Sequence, residues 1–450
     1  MNVSVVGGGL AGSEAAWALA ERGIHVTIYE MRPGTRTPAH QTDRLAELVC
    51  SNSFKSVDLS NAHGLLKAEL RALGSFLLPC ADVARVPAGT ALAVDREMFS
   101  TAAHERLIAH PNITVIREEV AELPDPGIVA TGPLTSERLT QAIVARLGSS
   151  ALAFYDAIAP VVSSDSLDHS RLYALSRYGK GGGDDYLNAA MDAVEYERFI
   201  DALLAGDQFE GHAFDKVPYF EGCLPVEEMA RRGRETLRFG PMKPVGLIDP
   251  KTGREPHAVV QLRREDRAGQ MWNLVGFQTR LRIPDQQRVF RTIPGLEAAE
   301  FLRFGSIHRN SYLNSPASLG PGLRVRGDER LFFAGQITGV EGYTESLGTG
   351  LMAGINLARI LHGQPIAIPP STTMLGGLYR YLREADPQHF QPMNANFGLL
   401  DPLQGKVKKD RKKELLVERA QGAFAEWLEQ ERIEGTTAQQ IASSPLSAER

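Results

Sequence analysis

The opening stretch of the chain limits the fold more than any other. NVSVVGGGLAGSEAAWALAERGIHVTIYEMR reads as a strand from Asn2 to Val6, a tight turn, and an alanine-rich helix ending near Arg22 and Gly23. A second strand from Ile24 to Tyr29 then closes on Glu30. This is a βαβ unit whose turn, Gly7-Gly8-Gly9-Leu10-Ala11-Gly12, fits G-x-G-x-x-G. The first glycine allows the turn, the second lets a pyrophosphate approach the backbone, and the third lets helix and strand pack closely. The helix start offers N–H groups and the positive end of its dipole to phosphates. Glu30 follows about twenty residues on, where a carboxylate accepts hydrogen bonds from ribose hydroxyls. Strand, turn, helix and acid together predict a dinucleotide-binding domain; the alternative is a glycine turn with a structural role only.

The choice between FAD and NAD rests on a distant segment. ERLFFAGQITGVEGYTESLGTGLMAGINLARIL, residues 329–361, reads as a buried strand from Leu331 to Ala334, then Gly335 and a glycine-punctuated loop, then a small-residue helix. A returning strand-glycine-helix unit suits a flavoprotein, and Gly335, Gln336, Glu341, Gly342 and Tyr343 are assigned to FAD. IVATGP, residues 128–133, reads as the strand and turn that close the first part of such a domain. The expected fold is α/β: a Rossmann-like FAD-binding domain, discontinuous over 1–150 and 305–450, with an inserted α+β substrate domain over 151–304.

Composition narrows the function classes. A chain of 450 residues, 43% of them hydrophobic, can bury a large core. The glycine turn comes too early for a signal peptide and no apolar run is long enough for a membrane span, so the expected location is the cytoplasm. Three cysteines without a CxxC pair predict free thiols and no metal site. The net charge of −5 argues against a generally cationic nucleic-acid coat, so any phosphate-binding patch must be local.

Two local candidates exist. SRYGKGGGDDYLN, with Gly179 and Gly181 to Gly183, reads as a mobile loop whose Arg177, Tyr178 and Lys180 can meet a phosphate or a base, or as an ordinary solvated turn. KVKKDRKK places Lys406, Lys408, Lys409, Arg411, Lys412 and Lys413 before an amphipathic helix carrying Leu415, Leu416, Phe424, Trp427 and Leu428. The run is either a phosphate-binding patch or a solvated helix face. Between them, HAVVQLRRE (257–265) and MWNLVGFQTRLRI (271–283) alternate as a hairpin of an antiparallel sheet.

Several stretches match one family. They include VVGGGLAGSEAAW at 5–17, ELVCSNSFKS at 47–56, PAGTALAVDR at 87–96, FEGCLPVEEMARRG at 220–233 and FGPMKPVGL at 239–247. Others are HAVVQLRRED at 257–266, NLVGFQTRL at 273–281, IPGLEAAEFLRFGSIHRNSYLNSP at 293–316, GQITGVEGYTES at 335–346 and PMNANFGLL at 392–400. The chain resembles the folate- and FAD-dependent tRNA uridine-5-methyltransferases, the TrmFO family, nearly end to end. The resemblance implies a methylenetetrahydrofolate--tRNA-(uracil-5-)-methyltransferase (NADPH-oxidizing). Its carbon comes from 5,10-methylenetetrahydrofolate, with reduced FAD as electron source and as carrier at flavin N5. The product is 5-methyluridine at position 54 in the tRNA T-loop, and NAD(P)H reduces the flavin.

That chemistry needs a thiol and a base. Carbon 5 of uracil is a poor nucleophile until a thiolate adds to carbon 6, after which a base must remove the carbon-5 proton. Cys223 and Cys50 are the candidates; Cys223 matches the family's nucleophile and Cys50 its second catalytic cysteine, a base or proton shuttle. Lys55 is close enough in sequence to depress the Cys50 pKa if the fold brings them together. Cys80, after an apolar run, is expected in the core. The resemblance makes His308 the ring that holds the pterin against the flavin, with Arg309 and Asn310 as hydrogen-bond partners.

Two other readings stay in view: a GidA-like (MnmG) flavoprotein that modifies the wobble uridine, and a flavin oxidoreductase for a small molecule. A flavin-stabilised RNA-binding protein without turnover is a third class. Monomer and dimer both remain open.

Overall fold

The structure, a computed structural model, describes residues 2–37, 39–148, 152–209, 224–405, 407–408 and 411–433, with backbone alone for 152–158 and 306–310. The expected βαβ unit forms. Strand Asn2–Val6 leads through the glycine turn into helix Leu10–Ala20 and strand His25–Tyr29. These strands lie in a five-stranded sheet ordered Leu331–Phe333, Gly127–Val129, Asn2–Val6, His25–Tyr29 and Ile113–Ile116, parallel throughout. The strand that opens IVATGP and the strand from Leu331 are therefore neighbours, although about 200 residues apart in sequence.

Helix Leu10–Ala20 is buried on nearly every side, as its Ala-rich composition allows. It packs on helix Tyr343–Leu361, where small residues set the spacing. A Cβ on Gly350 would lie 2.2 Å from the Ala11 carbonyl oxygen, and one on Gly354 would lie 2.5 Å from that of Ala15. The glycines of the distant segment are thus needed to let two backbones touch.

A second, six-stranded sheet is antiparallel, ordered Leu172–Ala174, Tyr186–Met191, Ala258–Arg264, Met271–Leu274, Val161–Ser163 and Phe301–Arg303. The predicted hairpin is present, and its second strand stops at Leu274 before Gly276, whose φ is +78°. Alternation gives the sheet two unlike faces. Ala258, Val260, Leu262, Trp272 and Leu274 pack against Phe199, Leu203 and Phe290 of helices Ala193–Leu204 and Ile283–Phe290. On the other face, register places Tyr186, Arg263, Asn273, Val161 and Arg303 in one row across five strands.

The polar face lies against the nucleotide half of the molecule. Arg263 Nε donates to Asn52 Oδ1 at 3.1 Å, Tyr186 Oη donates to the Ala88 carbonyl at 3.0 Å, and Arg96 Nε reaches Glu265 Oε2 at 2.7 Å. Asn52 is buried, and its Nδ2 donates to the carbonyls of Val94 and Arg264, one on each side of the junction.

The glycine-rich loop that reads as mobile is tied down. Asp185 accepts from the backbone N–H of Gly182 and of Gly89, at 3.2 and 2.5 Å. Gly179, Gly181 and Gly183 have φ between +64° and +92°, so these glycines serve a defined left-handed path. Helix Lys412–Glu431 buries Leu416, Val417, Ala420, Phe424 and Trp427, as its amphipathic pattern predicts. Among the described residues no helix is long and apolar enough to cross a membrane.

Candidate active site

The glycine turn forms one end of a cleft. Gly7 N–H bonds the Tyr29 carbonyl at 2.8 Å, and φ is +105° there. Cβ atoms would strike the Ala130 carbonyl from Gly7 at 2.6 Å, Leu45 from Gly8 at 2.4 Å, and the Gly7 carbonyl from Gly12 at 1.9 Å. Gly9 differs: its Cβ would meet nothing within 4 Å, because this position opens into the cleft. Gly9 is also the N-cap of helix Leu10–Ala20 and no side chain caps it, so the first-turn N–H groups face the same space. The empty space of the cleft, taken out to open solvent, is about 990 Å³, a size suited to a large cofactor. A cradle that a single Cβ would fill, at an uncapped helix start, fits the pyrophosphate of FAD.

Glu30 lines the cleft but is engaged differently from the sequence expectation. Its carboxylate accepts from Arg32 N–H, Nε and Nη2 and from Gly8 N–H, at 2.9 to 3.1 Å. Burial alone would raise its pKa; the bonds and charge of Arg32, with the Gly8 N–H, hold it below the ordinary value. Arg32 is itself buried and also pairs with Glu47 at 2.8 Å. A ribose thus meets a carboxylate that Arg32 already orients from behind, and the only trace of this in the sequence is the E-x-R spacing. His40 lines the same region; burial and the nearby Arg32 charge push its pKa down to about 4, so the ring is neutral at pH 7.

Gly335, Gln336, Tyr343 and Val49 line the other end. Gly12, Glu341 and Gly342 are not cleft-lining residues. Gly12 lies behind the turn, Glu341 receives a bond from Gln336 Nε2 at 3.0 Å, and Gly342, with φ +122°, turns the chain into helix Tyr343–Leu361.

Cys50 adjoins this end. Its N–H donates to Tyr343 Oη at 2.9 Å, and the same hydroxyl donates to the Ser51 carbonyl at 2.8 Å. From the opposite side Arg96 Nη1 and Nη2 bond the carbonyls of Leu48 and Cys50 at 2.7 and 2.6 Å, while its Nε holds Glu265. Arg96 and Arg303 are coupled electrostatically to the Cys50 thiol. Lys55 also acts electrostatically on Glu345 and Lys67. Beyond Cys50 lies a second cavity of about 450 Å³, bordered by Cys50, Ser51, Arg263, Asn273 and Gln278. Arg96, Arg263, Asn273 and Gln278 fall within stretches that carry the family resemblance, but local spacing gave no sign that they meet around Cys50.

The remaining candidates divide. Cys223, Lys406 and Lys409 lie outside the described residues. His308, Arg309 and Asn310 sit on strand Ser306–Tyr312, with His308 opposite Asp156 of strand Leu152–Ile158; their side chains lie outside the described residues. Arg177 turns inward, donating to the carbonyls of Val245 and Lys243, whereas Lys180 is exposed. Lys408 and Arg411 precede the last described helix, which begins at Lys412, and Lys408, Arg411, Lys412 and Lys413 are exposed. Cys80 is a core residue: its Sγ donates to the Phe76 carbonyl, and burial pushes the thiol pKa up to about 11.

Comparison with known proteins agrees with this geometry. The family model described as Glucose inhibited division protein A, GIDA, matches residues 2–365. The methylenetetrahydrofolate--tRNA-(uracil-5-)-methyltransferase TrmFO of Geobacter sulfurreducens is 58% identical over 428 residues, covering 95% of this chain and 98% of that protein. The corresponding Thermus thermophilus protein is 54% identical over 428 residues, covering 95% and 96%. The fold is also that of Aquifex aeolicus GidA, with TM-score 0.68 and 16% identity over 98% of this chain and 74% of that one. Full-length identity of this order, with the glycine turn and the Cys50 loop built as described, establishes that the chain belongs to the TrmFO family.

Proposed function

We propose that the protein methylates carbon 5 of uridine 54 in the T-loop of tRNA, drawing the carbon from 5,10-methylenetetrahydrofolate and electrons from FAD, with NAD(P)H reducing the flavin. The observation that carries this reading is the placement of Cys50. Its loop separates a dinucleotide-sized cleft from a polar cavity, so a thiol stands between a cofactor and a second ligand. The relatives' printed names supply the tRNA uracil and the folate.

The Cys223 thiolate adds to carbon 6, and the carbon 5–carbon 6 π pair moves toward carbon 5 and O4 as an enolate. Carbon 5 bonds the one-carbon unit; a base then removes the carbon-5 proton, the freed electron pair lets that unit's bond to its donor nitrogen break so that the donor leaves as an amine, and once the new carbon is reduced loss of the thiolate restores the double bond. Cys50 is the second cysteine of this scheme, and Tyr343 and Arg96 hold its backbone in place. FAD, when bound, supplies the electron pair that takes the new carbon to the methyl level. It is held at Gly7 to Ala11 and Glu30 at one end, with Gly12 packing behind that turn, and near Gly335, Gln336 and Tyr343 at the other. His308, Arg309 and Asn310 serve the folate, and Lys180 with the basic run from Lys406 to Lys413 serves the tRNA backbone.

The division into 1–150 with 305–450, and 151–304, is supported by two separate apolar cores. One joins Val3 and Leu19 to Leu347 and Trp427; the other joins Val162 and Phe199 to Leu296. A cytoplasmic location suits a tRNA substrate. The test is a reaction of FAD-loaded protein with full-length tRNA, NAD(P)H and folate labelled in its methylene carbon, followed by mapping of the labelled nucleoside. Labelled 5-methyluridine at position 54 is expected; label at the wobble uridine favours the GidA-like alternative, and an unlabelled RNA overturns both.

A further inference from the structure

The cavity beyond Cys50 has features that neither the glycine cleft nor the cysteine chemistry explains. Asn273 lines it and is 4% exposed, yet its carboxamide makes no hydrogen bond to another described residue. The Gln278 carboxamide lines the same space and is likewise unbonded among the described residues. Asn273 is buried and Gln278 half-buried, and two unbonded carboxamides that open into one cavity mark a place for a ligand with both donors and acceptors. Asn273 is fixed in direction, since its strand is paired on both sides, with Arg263 opposite on one neighbour and Val161 on the other. Arg263 is 8% exposed and held through Nε by Asn52, which is itself locked by the Val94 and Arg264 carbonyls. Farther along the same row, Arg303 keeps Nε and Nη2 buried without a hydrogen-bond partner among the described residues. Arg96, Arg263 and Arg303 all act on the one carboxylate of Glu265, leaving this wall electropositive.

We infer that this cavity receives the pyrimidine ring of the RNA, and that Asn273 is the specificity-determining residue that reads its N3–H and adjacent carbonyl. A carboxamide whose oxygen accepts from N3–H and whose nitrogen donates to O4 or O2 matches uracil, and it pairs with cytosine only when the amide is turned over. The neighbouring arginines suit the negative charge that develops on the ring oxygen when a thiolate adds. A phosphate group would use donors only and leave both amide oxygens unpaired. The inference rests on the function proposed above.

The test uses full-length, FAD-loaded protein and two T-stem-loop RNAs that differ only in carrying uridine or cytidine at the target position. Asn273→Asp keeps the shape but replaces the donor to O4 by an acceptor. It is expected to lower kcat/KM on the uridine RNA by roughly 100-fold or more. The preference for uridine over cytidine, read from RNA binding, should fall at least about tenfold. Flavin content and the folate KM should match the parent. Parent-like kcat/KM with an unchanged base preference overturns the assignment, and so does a loss that appears as a raised folate KM, which would place folate in the cavity. If Asn273→Asp fails to retain flavin, Asn273→Ala takes its place, and an unchanged base preference there overturns the assignment. A parent protein that methylates neither RNA defeats the proposed function itself, whereas an active parent beside an indifferent variant defeats the pocket alone.

Discussion

Gly9 shows how one residue can be tested apart from its neighbours. A valine there meets no protein atom within the radius of a Cβ, so Gly9→Val should fold, but its side chain occupies the cradle and should weaken FAD binding at least roughly tenfold. Gly12→Val should fail to fold, because its Cβ would lie 1.9 Å from a backbone oxygen. Flavin absorbance of purified protein, read beside far-ultraviolet circular dichroism, separates the two; a yellow Gly9→Val would defeat the assignment of the turn. Tyr343→Phe removes the hydroxyl that joins the Cys50 N–H to the Ser51 carbonyl. Freeing those groups costs about 1–3 kcal/mol, so kcat should fall about 10- to 100-fold while flavin stays bound. An unchanged kcat would show that the loop needs no such clamp. The glycines were legible because a turn against a phosphate tolerates no substitute. Arg32, Arg96 and Asn273 were not, because an arginine or asparagine in a sequence gives no sign of which distant group it will face.

At the level of elements, periodicity was a good guide and neighbourhood was not. The opening βαβ unit, the hairpin of Ala258–Arg264 with Met271–Leu274 and the apolar stripe of helix Lys412–Glu431 all follow from local spacing. The row from Tyr186 to Arg303 depends on the register of five strands spread over more than 100 residues, which local spacing does not encode. The basic run has an element-scale oddity. Lys412 and Lys413 occupy the first turn of a helix with no side-chain N-cap, where cations oppose the helix dipole. Changing Lys408, Arg411, Lys412 and Lys413 together to Gln should therefore leave the thermal midpoint unchanged or raised. The same variant should bind tRNA more weakly and with a shallower salt slope, by roughly 0.7 to 0.9 for each phosphate no longer neutralised. Equal tRNA affinity and salt slope in variant and parent would mean that the run is only a solvated face.

At the scale of the whole molecule, buried carboxyl groups set the response to pH. Glu14 and Glu69 cap distant helices: Glu14 accepts from Phe76 and Leu77 N–H, and Glu69 from Met374 and Leu375 N–H. Glu227 is buried against Thr279 and Arg280 N–H. Burial pushes these three up to about 7, 8 and 7 respectively, and their hydrogen bonds pull only part of the way back. The folded chain then holds protons that the unfolded chain releases near pH 4.5. Their stabilising contribution is complete below that pH and is lost as pH rises through 7 and 8, on the order of 3 kcal/mol for each fully titrated group. Glu30, Glu265 and Glu345 have the opposite sign: despite burial, Arg32, Arg96 with Arg303, and His63 with Lys55 hold them below the ordinary value. Their contribution is present above about pH 4.5 and is lost as pH falls through their folded values. Lys67, pushed by burial down to about 7, favours the fold increasingly above that pH and blunts the alkaline decline. The two sets of glutamates cross near their common unfolded value, so the thermal unfolding midpoint should peak near pH 4.5 to 5 and fall from there to pH 7. Calorimetry from pH 4 to 8 at constant ionic strength measures it, and a midpoint that climbs steadily from pH 5 to 8 would mean that these three glutamates are ionised within the fold.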